Sequence, residues 1–210
     1  MPALTHYIGF PRYSWGGWFA NGDRAPTYDP RTQSMRAGSI SPLFPFGHGL
    51  SYSVAIVSAL QPVANVSVST AADAKMASFT LKATVENTGK TDGATTLFAT
   101  YSKQTDGVVR FAQMLCGFTK LHVAAGAKAA ASVTVRIVDL ARWDPEATGT
   151  NLLGGSAKGA YVVDGGEYKL SLGTCVDSHV RYGTEKNSDW CKPLMATVTV
   201  GTAGGTYIVL

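Results

Sequence analysis

Charged side chains are scarce in this chain: Lys, Arg, Asp and Glu together make up 15% of 210 residues, against roughly 25% in an average domain. With apolar residues at 45%, that composition is globular. The basic residues are scattered and leave a net charge of +4, and no basic run or aromatic-basic alternation marks a nucleic-acid face. No apolar stretch approaches the roughly 18 residues that span a bilayer, so no membrane segment is expected. The opening MPALTHYIGFPRYSWGG has no charged stretch followed by an apolar core, and so does not read as a signal peptide.

Other chemistry is thin as well. The four histidines, His6, His48, His122 and His179, have no metal-type spacing to one another or to cysteine, so no zinc or copper site and no cofactor is expected. Gly154-Gly155 and Gly204-Gly205 lack the strand-to-helix setting of a phosphate cradle and read as loop glycines. Only three cysteines occur. Cys175 and Cys191 bracket a polar loop and are placed to bridge; Cys116 is then a buried thiol or the partner of a missing cysteine. Asn65-Val66-Ser67 is an N-glycosylation acceptor pattern.

What is present is a succession of strand signals. In residues 76–86, Phe79, Leu81, Ala83 and Val85 alternate with Thr80, Lys82, Thr84 and Glu86, so one face is apolar and the other wet, as in a half-buried antiparallel strand. The turn NTGKTDG (residues 87–93) offers Asn, Asp and two glycines for positive φ angles. TTLFATYS returns along that hairpin, and further runs cover residues 53–60, 63–69, 108–115, 117–123, 131–138, 167–173, 193–200 and 206–210. DLARWD (residues 139–144) reads as a corner with Trp143 turned inward, followed by a glycine-rich loop to about Ala160. Short strands at this spacing predict an all-β fold, an antiparallel β-sandwich of immunoglobulin or fibronectin type III-like form.

Residues 1–41 differ. Tyr7, Tyr13, Trp15, Trp18, Phe19 and Tyr28 stand among Gly, Pro and Arg without a period of 2 or 3.6, which reads as an irregular arm or interdomain linker. Residues 42–210 are the predicted sandwich, with a long loop at about 174–192. At the join lies PLFPFGHGLSY (residues 42–52), where Phe44 and Phe46 alternate with Pro45 and Gly47 and Gly49 follows His48. It predicts an extended, kinked strip with rings to one side.

This strip resembles the start of the fibronectin type III-like C-terminal domain of glycoside hydrolase family 3, the β-glucosidases and β-xylosidases. The resemblance continues through VENTGKTDGATTLFATYS, with Asn87, Gly89 and Gly93, through LCGFTKLHVAAGAK, with Gly117 and Phe118, and through GGEYKLSLG. The NTG and Lys-Leu-His-Val wording is nearer the plant-type β-xylosidase and arabinofuranosidase branch; Trp143-Asp144 is nearer the β-glucosidases. The resemblance implies an accessory module packed against catalytic domains outside this chain. The parent enzyme would cleave O-glycosyl bonds in xylan or other plant-type polysaccharide fragments, in the extracellular space or cell wall. A fragment or gene product cut from a longer secreted enzyme reconciles the cysteines and sequon with the missing signal.

The implied roles are structural. Phe44, Phe46, Leu50 and Tyr52 are expected to anchor the strip to the sandwich, and Trp15 and Trp18 to face the catalytic domains. The alternative is an independent carbohydrate-binding module in which Trp15, Trp18 and Tyr28 stack on a β-linked oligosaccharide. Retaining hydrolysis needs two carboxyl groups about 5 Å apart with divergent pKa values. No position matches the family's nucleophile or acid/base motif, and Asp144 with Glu146 and Asp164 with Glu167 read as solvated turn residues.

Overall fold

The computed structural model describes residues 28–29, 34–35, 46–47, 49, 51–103, 108, 113–150, 156–175, 193–202 and 207–210. In chain order its strands are β1 (Tyr28–Asp29), β2 (Ser34–Met35), β3 (Ala55–Ser58), β4 (Val66–Val68), β5 (Ser78–Asn87), β6 (Gly93–Ser102), β7 (Met114–Val123), β8 (Lys128–Arg136), β9 (Arg142–Thr150), β10 (Ser156–Asp164), β11 (Gly166–Gly173), β12 (Leu194–Thr202) and β13 (Tyr207–Val209). Among the described residues one helix, α1 (Ala71–Met76), and one 3-10 turn (Ile137–Leu140) interrupt them.

Two sheets carry the core, ordered β3-β5-β8 and β4-β12-β11-β6-β7. The alternation read in β5 sets the first: Phe79, Leu81, Ala83 and Val85 are buried and lie opposite Val135, Val133, Ala131 and Ala129 of antiparallel β8. Facing them, Leu97, Ala99 and Tyr101 of β6 join Tyr168, Leu170 and Leu172 of β11 and Val198 and Val200 of β12 in one cluster. Each fully buried Leu or Val contributes roughly 1.5–3 kcal/mol relative to exposure, so this double layer is the main source of stability. The Tyr101 and Tyr168 rings meet edge to face at 5.7 Å. Their hydroxyls donate to the carbonyls of Leu140 at 3.3 Å and Asp164 at 2.7 Å, so neither polar tip is stranded in the apolar interior.

Three features depart from the sequence reading. β4 runs parallel to β12, pairing Val66 with Val200, so one edge of an otherwise antiparallel sheet is parallel. The short helix α1 links β4 to β5; Thr70 Oγ1 accepts from Asp73 N, and Asp73 Oδ2 accepts from Thr70 N, a reciprocal cap that satisfies two exposed amides. Third, the stretch read as a glycine-rich loop is the hairpin β9–β10, which with β13 forms a separate sheet, β13-β10-β9. Val163 and Ile208 of that sheet join the main core. Ala147, Ala160 and Val162 form a second small cluster with Val209 packed on it.

The predicted arm falls mostly outside the described residues; within it, Tyr28 and Asp29 pair with Met35 and Ser34. Trp143 is 54% exposed and not turned inward. Its strand neighbour Arg142 takes the half-buried position, and the indole lies instead against Tyr161 and Gly159.

Candidate functional site

The motif residues converge where the connecting strip crosses the sandwich. Gly47 has φ +84, and a Cβ there would stand 2.6 Å from Thr174 O and 2.9 Å from Cys175 Cα, so both conformation and space require glycine. Phe46 beside it meets Phe98 of β6 edge to face at 4.8 Å. Farther along, the strip runs over the NTG turn. Thr88 N donates to Val54 O at 2.8 Å, and a Cβ on Gly93 would stand 2.0 Å from Ser53 Oγ. Gly49 has nothing within 4 Å of a Cβ. Tyr52, expected to anchor the strip, is 95% exposed: Ser53 and Val54 make the contact, and the ring projects away. Phe44, His48 and Leu50 lie outside the described residues, as do Trp15 and Trp18, and of Tyr28 only the backbone pairing is described.

Asn87 is the centre of the turn. Its buried amide donates to Thr91 O at 2.9 Å and to Val123 O at 3.0 Å, while Oδ1 accepts from Gly89 N at 3.0 Å. Its backbone bonds Ala127 O and Gly126 N, and Asp92 Oδ1 accepts from Ala125 N at 2.8 Å. The Asn87 side chain thus ties the β5–β6 turn to the end of β7, and its backbone with Asp92 ties that turn to the β7–β8 turn. Gly117 belongs to an irregularity in the β6–β7 ladder, where Ala99 pairs with Gly117 and Thr100 with Leu115. Cys116 is the extra residue of this bulge. A Cβ on Gly117 would stand 2.8 Å from Val133 Cγ1, so the missing side chain lets the two sheets close. Phe118 points out of the sheet, opposite Phe98, and is 67% exposed.

The carboxylates lie in strands and not in turns. Asp164 accepts from Arg142 Nε at 2.7 Å and Nη2 at 3.0 Å, and Asp144 accepts from Arg142 Nη1 at 2.9 Å. One guanidinium therefore holds both. The amide of Glu146 first, and Arg142 second, hold the Asp144 carboxyl below the usual carboxylate range, opposite to the direction a general acid needs. Glu146 itself is 82% exposed, 3.8 Å from Lys158. The Cys116 thiol is buried and pushed up to about 12, chiefly by desolvation and then by the charge of Asp139, which leaves it a poor nucleophile. Among the described residues no group of three or more His, Cys, Asp or Glu is placed to hold a metal ion, and no helix is long and apolar enough to cross a membrane.

Sequence reasoning missed two arrangements. Lys103 is buried, donates to Gly165 O at 2.7 Å and lies 4.8 Å over the Tyr168 ring; Gly166, at φ +108, would place a Cβ 2.9 Å from its Nζ. The GGEY wording therefore makes room for a lysine far away in sequence. The other is the Arg142 triad, which needs β9 and β10 to pair before Asp164 meets Arg142. Asn65 is exposed, and its Oδ1 accepts from Thr199 N at 3.0 Å. Cys175 is buried and disulfide-bonded; Cys191 lies outside the described residues.

Residues 97–175 match the family model of the fibronectin type III-like domain. This is a fibronectin type III-like fold. The structure is similar to β-glucosidase 3B from Thermotoga neapolitana (23% identity, TM-score 0.53, covering 77% of this chain and 18% of that one). It is also similar to the β-D-glucoside glucohydrolase from Trichoderma reesei (22%, TM-score 0.55, 77% and 21%). A third similar structure is the glycoside hydrolase family 3 β-glucosidase from Bifidobacterium adolescentis (23%, TM-score 0.52, 82% and 20%). The chain thus spans about a fifth of the length of these structures. No curated protein sequence matches it.

Proposed function

We propose that the chain is the accessory β-sandwich of a glycoside hydrolase of family 3 whose catalytic domains lie outside it. The observation that carries this reading is the asymmetry of the structural match: 77–82% of this chain against only 18–21% of each β-glucosidase. The occupied state of the motif residues supports it. Asn87, Gly93, Gly117 and Gly47 all serve turns and close approaches, and the two carboxylates best held together are locked on one arginine. Packing is the mechanism: the sandwich offers a rigid body against which catalytic domains are held in register.

The NTGKTDG and KLHVAAG wording favours a parent of the β-xylosidase type, acting on xylan-like or other β-linked plant polysaccharide fragments. A disulfide at Cys175 and an exposed sequon at Asn65 support an exported parent. The test is a domain exchange. A family 3 β-glycosidase deleted of its own sandwich is compared with the same enzyme carrying this chain in its place. Recovery of soluble yield and turnover above the deletion is expected; no recovery in any of several hosts would overturn the reading.

A further inference from the structure

The β9–β10 hairpin carries two large, exposed aromatic side chains that none of the motif residues above touches. Trp143 and Tyr161 are direct cross-strand partners, with ring centroids 5.2 Å apart and planes at 73°. The backbone is shaped around the indole. The β9–β10 register shifts between Lys158 and Ala160, and Gly159, at φ +86, would place a Cβ 2.4 Å from Trp143 Cζ2. The indole therefore lies on a glycine that no other residue can replace without displacing the ring. Both rings are more than half exposed, 54% and 58%. A hairpin brace explains the contact between them but not the outward surface that each retains.

The size of the patch decides its occupant. Burying a whole aromatic side chain removes about 150–250 Å², so two half-covered rings offer a few hundred Å² at most. A stable protein interface needs about 800 Å² per partner, whereas a sugar ring needs one aromatic face and a neighbouring edge. The 73° angle denies a flat platform for an extended surface, and centroids 5.2 Å apart put both rings within the span of a single sugar unit. We infer that Trp143 and Tyr161 form a binding site for one β-linked pyranose unit at the end of a soluble oligosaccharide. In β-linked glucose or xylose the ring C–H groups are axial, so the faces are apolar and flat and suit the indole, while the equatorial hydroxyls reach the polar surroundings. Lys158 and Glu146, 84% and 82% exposed on the same hairpin, supply such groups. The choice of β-linked sugar rests on the accessory-domain reading; the aromatic site does not.

The test titrates the full chain with cellohexaose, xylohexaose and, as the α-linked control, maltohexaose, following the Trp143 indole N–H resonance assigned with Trp143→Phe. The expected result is a saturable shift with the β-linked sugars. By titration calorimetry, which needs no indole probe, Trp143→Ala and Tyr161→Ala are each expected to weaken binding about tenfold, while Tyr161→Phe, which keeps the ring, retains it. A Trp143 resonance unmoved by either β-linked sugar overturns the site, as does a shift seen only at other indoles. Equal binding of maltohexaose overturns the sugar class. Domain exchange succeeds or fails independently of this titration, so failure of the sugar site is distinguishable from failure of the accessory reading.

Discussion

Asn87 and Val123 lie 36 residues apart, and a 3.0 Å bond from the Asn87 side-chain amide to the Val123 carbonyl fastens the turn between β5 and β6 to the end of β7. With Thr91 O and Gly89 N also satisfied, the amide uses both of its N–H groups and its oxygen. An alanine there leaves buried backbone groups unpaired. Asn87→Ala is expected to cost about 2–3 kcal/mol, read as a lower urea midpoint at unchanged slope. Asn87→Asp turns a carboxylate toward two carbonyls and should recover stability as pH falls, because only its protonated form donates a hydrogen bond.

Gly117 and Val133 form a matched pair across the sandwich. Gly117→Ala places a methyl group against Val133 Cγ1 at 2.8 Å, and overpacking of this kind typically costs about 1–3 kcal/mol. Val133→Ala alone opens a cavity in the same place. The double variant should lose less stability than the two single losses added together, and a double-mutant cycle by chemical denaturation measures that coupling. Strict additivity would show that the close approach at the bulge is not what requires glycine.

Arg142→Leu tests the triad. Removing the guanidinium takes the charge-assisted partner from two carboxylates, and a loss of about 2 kcal/mol is expected at neutral pH. The pH dependence has a defined sign. The Asp144 carboxyl is held below its ordinary 3.8 in the folded chain, so its stabilising share is present above that value and lost as pH falls through the depressed one. The gap between the parent chain and Arg142→Leu should therefore hold from neutrality down to about pH 4 and narrow only below 3.8, by the part of the depression that Arg142, and not the Glu146 amide, supplies.

Cys116 gives an opposite pH signature. Its thiol is pushed up from 9.0 to about 12, so the folded state holds the proton while the unfolded state releases it. Its share of stability is complete below pH 9 and declines as pH rises from there toward 12. At pH 8 iodoacetamide should leave the folded chain's Cys116 unmodified and alkylate it rapidly in denaturant. Rapid labelling of the native protein would contradict its burial.

Sequence alone discloses the layers of this fold better than its ends. The alternation from Phe79 to Glu86 has period 2 over a long strand, and the register of β5 on β8 follows from it, because a slip by one residue would move Leu81 and Val85 into water. Residues 145–160 carry no such alternation. Their pairing is broken by the shift around Gly159, so the hairpin reads as loop, and Trp143 is misjudged because its buried alternative depends on where β10 lies. The turn glycines are recognisable by type, but what each one faces is decided by distant segments: Ser53 for Gly93, Val133 for Gly117 and Thr174 for Gly47. The arginine triad is invisible for the same reason. Asp164 is 22 residues from Arg142 and reaches it only through strand pairing.

If this sandwich supports catalysis performed by other domains, the purified chain alone turns over no substrate. Nitrophenyl β-xyloside, β-glucoside and α-arabinofuranoside are incubated with it, alongside an intact family 3 β-glycosidase. Hydrolysis by the intact enzyme and none by the chain is expected. Reproducible hydrolysis by the chain, abolished by substituting Asp144 or Asp164, would contradict it.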